Sequence, residues 1–204
     1  MKKFIRFSLV GLLSAAAIAS CNCEKPVAER WSEEKANEWY AAREWPVGCD
    51  YVPAYAGNQI QMWQTSTWNP AEIDKELGWA EGLGFNSVRI FLHDKVWSAD
   101  RDAFFAHIEQ FLQIADSHGI SSLVTLFTNG GSRDRYVDEK IEPVPGIHNS
   151  IWAQTPGIET VNDPAQWDWV KEYEQDVLSH FKDDSRIIAW CLYNEPENVP
   201  ACHT

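Results

Sequence analysis

Two rhythms alternate along the chain: short apolar runs of strand length, and longer stretches whose apolar residues recur every three or four positions. Val47 to Ala54 is the first strand candidate. Asn69-Pro70 then starts a helix, an N-cap followed by proline at the first helical position, and Ile73, Leu77, Ala80 and Leu83 mark its apolar face. Gly84 ends it, and Phe85 to Leu92 reads as a second strand. A second helix from about Asp100 to Ser117 lines up Phe104, Ile108, Phe111, Leu112 and Ala115, and Gly119 stops it. Ser121 to Thr128, rich in Val and Leu, is a third strand. The segment 129–162 carries Gly130-Gly131, several prolines and Trp152; so long a loop in a compact domain is functional or disordered. Asp163-Pro164 caps a third helix, with Trp167, Val170, Tyr173, Val177 and Phe181 facing inward, and Ile187 to Tyr193 is a fourth strand.

Apolar strands separated by amphipathic helices imply a parallel sheet covered by helices. The open doubly wound sheet and the (β/α)8 barrel both satisfy that pattern. No Gly-rich phosphate loop follows the first strand, which counts against a nucleotide-binding doubly wound fold. A whole barrel takes about 250 residues. Four strands and three helices within 31–204 would amount to about half of one, and the pattern by itself leaves both folds open.

The start of the chain stands outside this rhythm. Lys2, Lys3 and Arg6 precede an apolar run, Phe7 to Ala19, too short to span a bilayer. It ends Ile18-Ala19-Ser20-Cys21, which resembles a bacterial lipobox. Residues 1–20 are thus expected to be an export signal, with Cys21 lipidated and holding the protein to a membrane. An ordinary signal peptide with a chance cysteine is the simpler alternative. Residues 21–30 read as a tether, and Trp31 to Glu44 as a helix stopped before Pro46. Export permits disulfides, but Cys23, Cys49, Cys191 and Cys202 allow three full pairings. Cys49 and Cys191, on strands, are expected to be buried small hydrophobes. No Cys/His spacing resembles a zinc site, and no cofactor is expected.

A formal charge of −13 is the wrong sign for tracking phosphates, so nucleic acid is not an expected partner; it suits a neutral substrate. The 11 tryptophans are too many to ignore. Most would pack the core, and the rest could lie flat against sugar rings.

In a parallel barrel the C-terminal strand ends converge on one face, where catalysis occurs. Those ends carry Tyr51 and Tyr55, then Arg89 and His93, then Thr128 and Asn129, and finally Asn194 and Glu195. The run Asn194-Glu195-Pro196 after an apolar strand, with Val88-Arg89-Ile90 on the second strand and its lead-in from Gly82, resembles the clan A glycoside hydrolases, particularly the cellulase-like family 5 group. The resemblance covers roughly residues 47–198 and implies that 31–204 is the N-terminal half of a (β/α)8 barrel, strands one to four with three helices. It implies that Glu195 is the general acid/base, that Asn194 bonds the sugar 2-hydroxyl, and that Arg89 holds the nucleophilic carboxylate. An acid that stays protonated near neutrality needs partial burial and a neighbouring carboxylate.

Simpler roles compete at each position. Glu195 could cap a following helix, Arg89 could be a structural ion pair, and His93 could be a satisfied core side chain. Tyr55, Trp63 and Trp68, in the aromatic stretch 51–68, are the candidate sugar platforms, with packing as the alternative. The chain departs from the family where it reads Thr128-Asn129-Gly130-Gly131 after the third strand, a place where many members carry histidine. The family's nucleophile is a glutamate on strand seven, and Glu197 lies too near Glu195 to replace it. Strands one to four are read as offering no carboxylate on the opposite wall. Residues 21–204 alone are therefore expected to be inactive, and oligomeric or poorly soluble. A carbohydrate-binding surface lipoprotein without catalysis is the alternative function.

Overall fold

The computed structural model describes residues 30–198, so the expected export signal, Cys21, Cys23 and Cys202 lie outside the described residues. The chain forms two compact units, divided between Glu44 and Trp45. In the first, Ser32 caps helix α1 (Glu33–Ala41) by accepting from the Lys35 amide, and Glu33 and Glu34 complement the helix dipole in the first turn. None of its residues is buried.

The second unit follows the strand–helix alternation: β1 (Gly48–Asp50), α2 (Gln59–Trp63), α3 (Pro70–Gly82), β2 (Ser87–Phe91), α4 (Asp94–Ala99), α5 (Arg101–Ser117), β3 (Ser121–Thr128), α6 (Ile158–Val161), α7 (Trp167–Phe181) and β4 (Ile187–Asn194). All strand pairs are parallel, in the order β1-β2-β3-β4. A parallel sheet in sequential order with helices packed on one face is half of a (β/α)8 barrel.

Side-chain alternation builds the two faces. On β2, Val88 and Ile90 enter the core with Ile73 and Leu77 of α3 and Phe111 and Leu112 of α5, while Arg89 takes the other face. Tyr173, Val177 and Phe181 of α7 close the core over β3. β1 and β4 each pair along one edge among the described residues. Their exposure reflects this: β1 is exposed throughout, and Leu192 on β4 is 53% exposed.

Several expectations need correcting. The first strand has three residues rather than eight. After Tyr51, whose N–H still reaches the Arg89 carbonyl, the ladder ends, and Pro53 has no N–H with which to extend it. Leu83 caps α3 and is 76% exposed instead of facing the core. Cys49 is exposed because it sits on the sheet edge, and Cys191 is half-buried; neither is a buried hydrophobe.

Candidate functional site

Arg89 is fixed at three places on the sheet face opposite the core. Its Nε donates to Thr125 Oγ1 of β3 at 3.0 Å, and its Nη2 donates to Asn194 Oδ1 of β4 at 2.8 Å and to Cys191 Sγ at 3.3 Å. The guanidinium also lies 4.8 Å over the Phe91 ring. Asn194 is held from its other end, its Nδ2 donating to Thr128 Oγ1 at 3.2 Å, while Thr128 donates on to the Asn129 carbonyl. The amide orientation is therefore set: the oxygen faces arginine and the nitrogen faces the hydroxyl.

Immediately after Asn194 the backbone turns sharply, with Glu195 at φ 52°. A non-glycine residue in the left-handed region costs energy and marks a place where the chain is held for a reason. Asn198 closes the turn, donating from its backbone N–H to the Glu195 carbonyl and from Nδ2 to Oε2 of Glu195 at 2.9 Å. Glu195 is exposed, so the partial burial expected of it is not provided by the described residues.

The long segment after β3 forms the adjoining wall. Asn129 Oδ1 accepts from Gln154 Nε2 at 2.6 Å, tying the start of the loop to its end. Gly131, at φ 75°, brings the loop back on itself: a Cβ there would stand 2.1 Å from the Trp152 carbonyl oxygen, so only glycine fits. That carbonyl accepts from the Ser132 N–H, and the Trp152 ring meets Phe91 edge-on at 5.4 Å. The result is a cavity of about 540 Å3 lined by Asp50, Arg89, Phe91, Asn129, His148, Trp152, Asn194 and Glu195 among others. Its size and its mixture of aromatic and polar groups suit a small ligand.

Arg89, Asn194 and Glu195 thus come together with Asn129 in one cavity, while His93, Trp63, Trp68, Tyr55 and Tyr51 lie elsewhere. His93 is 1% exposed; its Nδ1 accepts from the Lys95 N–H as the N-cap of α4. Trp63 is fully buried in α2, its Nε1 donating to the Phe91 carbonyl at 2.7 Å, and packs edge-on against Phe111. Trp68 stacks on His107 of α5 at 4.4 Å and donates to Gln110. The Tyr55 hydroxyl donates to the Met62 carbonyl, and Tyr51 donates to Glu76 from within the core. None of these five lines the cavity. Trp63 is core packing because α2 folds it under the sheet's helix-covered face, whereas Tyr55 and Trp68 are partly buried beside it and Tyr55 lines a separate cavity.

Asp50 and Trp152 are among the cavity residues missed from sequence. Asp50 ends β1 and shares the cavity with Glu195, which corrects the reading that strands one to four offer no carboxylate across from it. The signal was the alternation itself, since Asp50 precedes the inward Tyr51. Trp152 is visible in the sequence, but nothing local says that its loop returns to the strand ends.

A buried ionic cluster braces this loop. Asp94, 4% exposed, accepts a two-pronged bond from Arg133, 2.7 Å at each oxygen, and another from Thr155 Oγ1 at 2.5 Å. Burial alone would raise the pKa of Asp94, but the Arg133 bonds and the Thr155 hydroxyl hold it below the usual carboxylate range. His93 beside it is pushed down to about 4, chiefly by burial, with Arg133 and Lys95 acting the same way and Asp94 opposing.

No protein-family model matches the sequence, and no curated protein matches it. Among solved structures, the fold is similar to that of the exo-β-1,4-mannosidase Op5Man5 from Opitutaceae bacterium strain TAV5. The TM-score is 0.58 at 23% sequence identity, over 77% of this chain and 26% of that one. The chain therefore shares the (β/α) barrel architecture of that protein and spans about a quarter of its length.

Proposed function

We propose that this chain supplies half of the active site of a retaining β-glycoside hydrolase. Glu195 protonates the departing glycosidic oxygen and later deprotonates the attacking water. Asn194, locked by Arg89 and Thr128, bonds the sugar 2-hydroxyl beside the reacting carbon. The nucleophile comes from a strand outside the described residues and meets Arg89 at Nη1, whose nearest carboxylate here is Asp50 at 3.8 Å. A retaining pair must stand about 5–5.5 Å apart, so that strand closes the barrel from the open side. The chain by itself carries out no turnover, and the substrate is a β-linked mannan, glucan or xylan or an oligosaccharide of one. Cys21 anchors the exported protein to a membrane through lipid.

The observation that carries this reading is the convergence of Arg89, Asn194 and Glu195 on one tryptophan-walled cavity at the C-terminal strand ends. Likeness to a β-mannosidase fold supports it. Carbohydrate binding without turnover is the second reading, favoured by the exposure of Glu195.

The test joins this chain to four further strand–helix units whose third strand ends in glutamate, and assays aryl β-mannoside, β-glucoside and β-xyloside. Release with retained anomeric configuration, absent from the chain alone, is the expected result. Sugar binding with no release in the joined protein would favour the second reading, and turnover by the chain alone would contradict the half-site.

A further inference from the structure

Asp50 has no role in the chemistry just described, yet it faces the same cavity as Glu195 from the other edge of the sheet. Its contact with Arg89 is long, 3.8 Å, and its side chain is 64% exposed. An ion pair so open and so loose contributes little to stability. Nor does Arg89 need it for position, because Thr125 and Asn194 already hold the guanidinium at 3.0 and 2.8 Å. Among the described residues no side chain donates a hydrogen bond to the Asp50 carboxylate, and Asp50 lines the cavity.

Building on the proposed sugar site, we infer that Asp50 is a specificity-determining residue that takes two adjacent hydroxyls of a neutral sugar and turns away uronates. An ionised carboxylate only accepts hydrogen bonds, and its two oxygens match the spacing of a vicinal diol. Trp152, set edge-on against Phe91, offers an aromatic surface in the same cavity for the C–H face of that sugar. The cavity carries two carboxylates, Asp50 and Glu195, against the single guanidinium of Arg89, with His148 as its other titratable group. A ligand carboxylate brought to Asp50 would meet like charge where a hydroxyl pair meets an acceptor.

Frontal affinity chromatography on the immobilised full chain tests this, since it reads weak retention and tolerates a protein that self-associates in solution. The probes are mannotriose, cellotriose, xylotriose and a glucuronate-bearing trisaccharide. The wild type should retain at least one neutral probe and not the uronate. Asp50→Ala should weaken neutral retention about tenfold or more, the loss of charge-assisted hydrogen bonds. Asp50→Asn should keep part of that retention and begin to retain the uronate, a gain that a misfolded variant cannot show. Unchanged retention in Asp50→Ala, equal wild-type retention of the uronate, or no wild-type retention of any neutral probe would each overturn the inference. Hydrolysis in the joined protein with retention independent of Asp50 refutes this inference alone. Asp50-dependent retention without hydrolysis there refutes the hydrolase reading alone.

Discussion

Arg89 Nη2 donates to Asn194 Oδ1 at 2.8 Å, so a side chain on β2 reaches over β3 to fix the amide that ends β4. Thr125 and Thr128 of the intervening strand hold the two partners from below. Sheet register and site geometry are therefore one structure: a slip of either outer strand would separate the pair.

Lysine cannot reproduce this fork. Arg89→Lys leaves one ammonium to serve Thr125, Cys191 and Asn194, and should cost about 1–3 kcal/mol in urea unfolding. Asn194→Ala should cost about as much alone, and the double variant less than the two losses together. Additive losses would mean that the bond is geometrically present and energetically idle.

The Asp94–Arg133 pair should be the costliest contact to break, because Asp94 is 4% exposed and would be left charged without its partner. Arg133→Ala is expected to destabilise by about 3–5 kcal/mol, and adding Asp94→Asn should recover part of that. Hydrogen exchange should report the same break as lost protection at the Thr128 and Thr155 amides, which pair across the loop.

Stability should fall with pH over a window set by His93. Its folded pKa is about 4 against an ordinary 6.5, so between those values the unfolded chain binds the extra proton. The contribution is whole above pH 6.5 and disappears towards pH 4, a loss of about 3 kcal/mol. Asp94, also depressed, adds its own loss only below its ordinary value of 3.8. His93→Asn keeps a capping side chain and should flatten the upper window, whatever its absolute stability. A wild-type midpoint constant from pH 7 to 4.5 would contradict this.

Much of the fold is legible in the sequence because capping chemistry is local. Asn69 before Pro70, Asp100 and Asp163 each accept from an amide at the predicted helix start. The facing of Arg89 was equally readable, since period-two alternation puts it opposite Val88 and Ile90. The aromatic stretch was not. Trp63 belongs to the core because α2 buries it against Phe111 of α5, and the partly buried Trp68 stacks on His107 of the same helix, tertiary choices that composition does not encode. Helix α4 was missed for a related reason: its cap is His93, which is not a residue that usually signals a helix start.

Anchoring can be tested apart from catalysis. Expressed in a Gram-negative host, the wild type should fractionate with membranes and Cys21→Ala should not. Equal distribution of the two would remove the lipid from the proposal.

The most direct measurement compares Glu195→Gln with wild type in the joined barrel on two substrates. On an unactivated β-glycoside the variant should lose several orders of magnitude, because a poor leaving group needs its proton. With a good aryl leaving group, the first step should be nearly spared. Equal and modest losses on both substrates would contradict Glu195 as the acid, and with it the assignment of this cavity to glycoside hydrolysis.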